Sequence, residues 1–388
     1  MTEKPRVKHD PIAPHAIPFA RPSYEGRERD YVAEVIASGR AAGDGKFTKL
    51  CHEFLERELG VPRVLLTTSC TSALDLAALL LDMQPGDEVI APSFTFTSTL
   101  NAFVLRGVKP VFADIRPDTL NIDESQLERL VSPRTRAIVV VHYAGIGCEM
   151  DAIARFAKRH RLVLVEDNAH GLFGRYQDQY LGTFGALSTL SFHETKNFSC
   201  GEGGALLIND PVYIDRAEIL REKGTDRSRF YRGQVDKYTW VDIGSSFLPS
   251  DLLAAVLLGQ LESRDRIPGR RRRIWERYDT DLRDWAQSRG IRVPTVPGDC
   301  DQAYHMYWMV MPSFEERQAV IEHLAQWDVS SVFHYLPLHL SAMGRRLGGK
   351  EGDCPVTEDV SDRLLRLPFY NQLTDAELDR VVAALKSF

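Results

Sequence analysis

Strand-like and helix-like segments alternate along the first half of this chain. The pattern predicts an α/β fold with a large domain on a mostly parallel sheet and a smaller α+β domain after it. Three observations carry that expectation. Apolar runs of strand length recur at residues 64–67, 88–91, 110–114, 137–142 and 162–166. Segments with helical spacing separate them, so successive strands lie parallel and are covered by helices on both faces. After Glu166 the pattern changes to short strands at 187–192 and 204–209 around a glycine-rich segment, and then to a long helix at 264–287.

Residues 1–22 read as a loose N-terminal extension. Lys4, Pro5, Arg6, Lys8, His9, Asp10 and Pro11 leave no apolar stretch of the kind a signal peptide needs. Residues 31–38 and 49–59 have helical spacing. The β-branched run at 64–67 enters a polar turn and then an apolar helix at 73–81. Gln84-Pro85-Gly86-Asp87 is a turn before the strand at 88–91. Helix 98–106, strand 110–114 and the turn Pro117-Asp118 follow, then helix 124–131, strand 137–142, helix 151–160 and strand 162–166. Helix 252–261 closes the large domain, assigned to 23–262. The small domain, 263–388, begins on the long helix, with strands expected near 304–311 and 331–335.

With 388 residues, 44% of them apolar and 26% charged, the chain has the make-up of an ordinary globular protein. A net charge of −6 gives no nucleic-acid footprint. The run Arg270-Arg271-Arg272-Arg273 lies beside Trp275, Glu276 and Tyr278 and reads as a solvated helix face, because no wider basic surface surrounds it. Cys51, Cys70, Cys148, Cys200, Cys300 and Cys354 are scattered with no C-x-x-C pair. That argues against a zinc site and a disulfide framework and favours a reducing cytoplasm. No apolar run is long enough to span a membrane.

Ligands of open α/β sheets bind at the carboxyl ends of the strands, and three motifs fall there. In Thr67-Thr68-Ser69-Cys70-Thr71-Ser72 a strand runs into hydroxyl residues and an apolar helix. Such a helix start attracts phosphate, with Thr71 and Ser72 adding donors, although a plain N-cap explains one Ser or Thr equally well. In Val163-Leu164-Val165-Glu166-Asp167-Asn168-Ala169-His170 a buried strand ends in two carboxylates that alternation sends to opposite sides. Asp167 is the candidate to face the pyridine nitrogen of pyridoxal 5'-phosphate (PLP), and His170 its ring hydroxyl. A strand-end Asp also caps turns. In Ser191-Phe192-His193-Glu194-Thr195-Lys196, ahead of Gly201-Glu202-Gly203-Gly204, a lysine stands just past a strand. Partial desolvation there would lower its pKa, as an imine-forming amine requires. A phosphate turn, a carboxylate and a lysine in that order are together far more specific than any one of them.

These motifs resemble the DegT/DnrJ/EryC1/StrS aminotransferases, PLP enzymes of fold type I whose large domain carries a mostly parallel, seven-stranded sheet. The resemblance runs from about Ile17 to the C-terminus. It is closest to enzymes acting at C4 of TDP-4-keto-6-deoxy-D-glucose, through Gly43-Asp44-Gly45 and residues 80–89, 141–148, 191–197, 232–246 and 334–339. It implies a Schiff base and proton shuttle at Lys196, a ring-nitrogen partner at Asp167 and an aromatic stacked on the ring at Phe96. Thr71, Ser72 and Ser191 would hold the phosphate, and His170 would approach the ring oxygen. Members are homodimers in which a partner loop completes each site. Here that loop is Gly244-Ser245-Ser246-Phe247-Leu248-Pro249, where many relatives have asparagine followed by Tyr-Arg, so the contact would fall to Ser246. Asn168 stands where alanine is usual. His193, Tyr335 and His339 are candidate sugar-nucleotide contacts, with a satisfied strand and turn as the plainer account of the last two.

The implied reaction moves an amino group from L-glutamate to the 4-keto sugar, with no metal. A 3-dehydratase of the sister branch would carry histidine in place of Lys196, and a silent binding relative would lose the lysine or the carboxylate. Neither replacement is present. The face of C4 that receives the amine, and the pathway served, are not fixed by these residues.

Overall fold

The computed structural model describes residues 15–388. The segment Lys4–Pro11 lies outside the described residues. Seven strands form the central sheet: β1 (Arg63–Thr67), β2 (Glu88–Pro92), β3 (Lys109–Ala113), β4 (Thr135–Val141), β5 (Val163–Asp167), β6 (Leu187–Ser191) and β7 (Gly204–Ile208). Their spatial order is β1-β7-β6-β5-β4-β2-β3, and only β7 runs antiparallel to its neighbours.

Side-chain alternation explains why helices cover both faces. Val89, Ala91, Val139 and Val165 pack on one side with the helix Cys70–Leu80. Ile90, Ile138, Val140 and Leu164 point to the other, where Ile153 and Phe156 of the helix Met150–His160 meet them. Further along that second face, Val64, Leu66 and Leu207 bury the helices Lys46–Leu59 and Asp251–Leu261.

A separate core holds the C-terminal elements, with Trp275, Tyr278, Tyr307, Met309, Leu365 and Leu385 among its members. Ile17 belongs to it. Fully buried, Ile17 pairs with Val329 and donates its N–H to the Asp328 carbonyl at 2.8 Å. The described end of the presumed loose extension is therefore tied into the fold.

Three sequence expectations are corrected. Residues 331–335 form no strand; Val332 makes one bridge to Arg366, and the strand that pairs with Trp308–Val310 is Leu364–Arg366. The expected helix at 124–131 is a 3-10 turn followed by one α-turn, Leu127–Leu130. Arg271 is not solvated but 2% exposed, whereas Arg270, Arg272 and Arg273 pair with Glu25, Glu276 and Asp375 on the surface. Its guanidinium donates to the carbonyls of Tyr304 and His305 and to Asn371 at 2.9, 2.5 and 3.0 Å, so this buried cation is a structural clamp.

Candidate active site

The carboxyl ends of the parallel strands open into a cavity of about 630 Å³ with Lys196 in its wall. Sheet register builds the floor. Gly204, at the start of antiparallel β7, pairs with Thr67 on one side and Ser191 on the other, while Asp167 pairs with Thr189 and with Val141. The hydroxyl turn after β1, the end of β6 and the carboxylate of β5 thus share one edge.

Ser69, not Thr71 or Ser72, is the N-cap of the helix Cys70–Leu80, and its Oγ accepts from the Ser72 amide at 3.0 Å. A helix start leaves four N–H groups over, so one cap leaves others to meet an anion. Ser72 Oγ bonds Thr68 Oγ1 at 2.8 Å, and Thr71 Oγ1 bonds Ser98 Oγ at 2.7 Å. Gly204 serves this turn rather than a ligand: a Cβ there would lie 2.3 Å from the Ser69 carbonyl carbon. Thr71 and Ser191 line the cavity.

Asp167 and Glu166 do face opposite sides. Glu166 is fully buried, bonds His142 Nε2 at 2.9 Å and accepts the amides of Gly182, Phe184 and Gly185 at 2.8, 2.7 and 2.7 Å. It ties strand and loop together. Asp167 lines the cavity, accepting from Thr99 Oγ1 at 2.7 Å and from the Ala169 amide at 3.2 Å. Burial pushes its carboxyl pKa up, against the pull of those two donors and the positive charge of Lys196. Thr99 in turn bonds Thr95 at 2.8 Å, a hydroxyl relay that the sequence motifs did not single out.

Lys196 emerges from the turn after β6, its amide donating to the His193 carbonyl at 2.9 Å. Burial lowers its pKa to about 8, with Cys70 and Asp167 opposing the shift and the Arg366 charge adding to it. A neutral amine is therefore accessible near neutral pH.

Three imidazoles wall the far side. His170 stacks on His305 with centroids 4.2 Å apart and planes 14° from parallel, and His334 lies 6.4 Å from His170. Asn197 donates its amide to the Ala303 carbonyl at 2.7 Å, so its Oδ1 must accept from His305 Nδ1 at 2.8 Å. Burial holds all three pKa values well below the usual histidine range. His170 Nδ1 is buried without a partner. His305 and Arg366 line the cavity and went unnoticed in the sequence, and His334, which also lines it, entered only within the segment 334–339.

Among the remaining candidates, Tyr335 lines the cavity and His193 sits at its edge, 3.7 Å from Glu202. Phe96 also lines it but is 58% exposed, a rim position. Ser246 is exposed and outside the cavity of the single chain. His339 is a correction. It is fully buried, bonded to Ser93 Oγ at 2.6 Å and to Glu358 at 2.9 Å, so it pins the 338–340 turn and does not reach the cavity. Replacing His339 by alanine strands a serine and a carboxylate and should cost about 2 kcal/mol of stability. Denaturant titration checks this; substrate KM should not move.

The residues present fit PLP. The helix start suits a phosphate, Asp167 is a buried carboxylate lacking a dedicated cation, the His170 ring nitrogen is unpartnered, and Lys196 is a low-pKa amine. With the sheet order above, they define a PLP-dependent transferase of fold type I. The chain belongs to the DegT/DnrJ/EryC1/StrS aminotransferase family, whose profile matches residues 22–386. It is 33% identical to the GDP-perosamine synthase of Caulobacter vibrioides over 95% of this chain and 97% of that one. The aminotransferase TlmJ of Streptoalloteichus hindustanus has a crystal structure that superposes with a TM-score of 0.88 at 32% identity, covering 96% of this chain and 98% of the other. A sugar aminotransferase of Streptococcus pneumoniae, Spr1654, matches in its PLP and PMP forms with TM-scores of 0.88 and 0.89 at 28% identity. Both forms cover 96% of this chain, and 98% and 97% of the other. Family and cofactor stand as the motifs implied. Among the described residues, no helix is long and apolar enough to cross a membrane.

Proposed function

We propose that this enzyme transfers an amino group from L-glutamate to C4 of TDP-4-keto-6-deoxy-D-glucose. The observation that carries the chemistry is Lys196 on a cavity wall shared with the buried Asp167. When bound, PLP supplies an electron sink that makes the Cα proton of an amino acid and the corresponding sugar proton acidic. Lys196 Nζ, whose lowered pKa of about 8 leaves a neutral fraction near neutral pH, would move that proton between carbon centres. Asp167 would hold a proton on the ring nitrogen, the helix start and the Thr71, Ser72 and Ser191 hydroxyls would bind phosphate, and the neutral imidazoles of His170, His305 and His334 would orient without adding charge. The segments at 232–246 and 334–339 support the TDP-sugar assignment.

The same reading includes a homodimer. Ser246 of one chain would reach the partner's phosphate, and the exposed Tyr231, Trp240 and Val241 nearby supply apolar surface for the contact. It also includes a domain division near residue 262 and a cytoplasmic location, the latter supported by six unpaired cysteines.

Mixing the PLP-loaded protein with L-glutamate should convert the cofactor absorbance to that of the pyridoxamine form, and TDP-4-keto-6-deoxy-D-glucose should restore it. NMR of the product then reports whether the amine is axial or equatorial. Restoration by a GDP-linked 4-keto sugar alone would replace the TDP assignment; no conversion by glutamate would end the aminotransferase reading.

A further inference from the structure

We propose that the paired hydroxyls of Thr95 and Thr99 form a positioning relay that holds Asp167 as an oriented, ionised partner for the cofactor ring nitrogen. The proposal rests on the reading that Asp167 faces that nitrogen, and names what keeps it fit to do so.

Thr99 lies in the helix Ser98–Val104 and is fully buried, while Thr95, just ahead of that helix, is 2% exposed and lines the cavity. A helical threonine can return its hydroxyl to the carbonyl four residues back. Thr99 instead donates across the fold to Asp167 Oδ2 at 2.7 Å. That commits its one proton, so in the 2.8 Å contact between the two hydroxyls Thr95 is the donor and Thr99 the acceptor. Both O–H dipoles then run toward Asp167, and each strengthens the next.

Two other buried Thr–Asp pairs show what a structural contact looks like in this fold. Asp251 accepts the amides of Phe47 and Thr48 together with Thr48 Oγ1. Asp114 accepts the amides of Val356 and Thr357 together with Thr357 Oγ1. Each carboxylate thereby ties down free amides at a helix start, of Lys46–Leu59 and of Pro355–Arg363. The Thr99 amide goes to the Phe96 carbonyl and not to Asp167. Asp167 has one donor per oxygen, Thr99 on Oδ2 and the Ala169 amide on Oδ1. A carboxylate takes about four donors, so capacity remains for one in the cavity that Asp167 lines.

The relay caps no helix and ends on a carboxylate in the cavity wall, so its service is to what that carboxylate binds. Burial works to neutralise Asp167, and the Thr99 donor works against it. With the carboxylate kept ionised, a proton shared with a ring nitrogen rests on the ring.

The test compares Thr99→Val, which keeps the shape and deletes the hydroxyl, with Thr99→Ser, which keeps the hydroxyl. Thr48→Val makes the same deletion at a helix start outside the cavity. In the apoprotein, NMR of isotope-labelled aspartate carboxyls gives the Asp167 pKa, the signal being assigned by its loss in Asp167→Asn. That pKa should be higher in Thr99→Val than in wild type, near wild type in Thr99→Ser and unchanged in Thr48→Val. In the holoenzyme, PLP labelled at its ring nitrogen should report a protonated ring in wild type and a shift toward the neutral form in Thr99→Val. Its kcat should fall about 10- to 100-fold, the scale of one hydrogen bond to a charged group, with KM for glutamate within about threefold. Thr95→Val removes only the outer hydroxyl and should move both NMR readouts the same way by less; it carries the test if Thr99→Val does not fold. Loss of stability with both readouts at wild-type values would make the relay a packing feature and overturn the proposal, as would equal shifts from Thr48→Val. If Asp167→Asn itself leaves the ring nitrogen protonated, the placement of Asp167 fails instead.

Discussion

Lys196→Ala should lose turnover by at least about ten-thousandfold, because one side chain supplies both the covalent anchor and the proton shuttle. Borohydride reduction of the wild-type holoenzyme should fix the cofactor on the peptide containing Lys196, and the variant should give no such adduct. Retained turnover, or trapping on another lysine, would refute the assignment. The folded state makes a second, opposite prediction. Burial lowers the Lys196 pKa from 10.5 to about 8, so in the apoprotein its charged form is disfavoured by the fold. The sign follows from linkage: the group favours the fold above its unfolded pKa, and that contribution is lost as pH falls through about 8. At pH 7 apo Lys196→Ala should therefore be more stable than apo wild type, by up to about 3 kcal/mol. The advantage should shrink between pH 8 and 10.5, the folded and unfolded values. Thermal melts across that range read it directly.

The strand-end logic put Lys196 where the structure has a cavity wall, because both needs, burial and access, leave marks in sequence. Val163–Asp167 is an apolar strand that stops in carboxylates, and alternation alone separates Glu166 from Asp167. The same logic failed where chemistry depends on contacts remote in the chain. His339 was a candidate as a polar group in the 334–339 segment that resembles a family segment, but Ser93 and Glu358 claim it from other elements. His305 gives no local sign of its stack on His170, and the three-residue strand ending in Arg366 is indistinguishable from the end of the preceding helix. Arg271 is different: it was legible. Ile267, Arg271, Ile274, Trp275 and Tyr278 fall at helical spacing on one buried stripe, so the solvated-face reading overlooked the periodicity of its own helix.

Asp167→Asn should retain the fold and cut turnover about 10²- to 10⁴-fold, the range for removing a buried charge partner. Asparagine keeps the shape and can still accept from Thr99, but it cannot hold a proton on the ring nitrogen, so the electron sink is lost. Asp167→Glu keeps the charge yet displaces the carboxylate from Thr99 and Ala169, and should recover part of the rate at most. The neighbouring carboxylate gives the control. Glu166→Gln weakens acceptance from three amides and His142, so it should cost about 2 kcal/mol of stability while folded enzyme keeps its kcat. Stability moves the other way at Asp167. Burial raises that pKa, so its contribution to the apo fold is full below the unfolded value of 3.8 and is lost as pH rises through the folded value. Apo Asp167→Asn should thus match or exceed wild-type stability at pH 7, and lose that margin as pH falls toward 4. A carboxylate whose removal stabilises the apoprotein and disables the holoenzyme is held in place for its ligand; equal loss of stability in both variants would mark Asp167 as a turn cap.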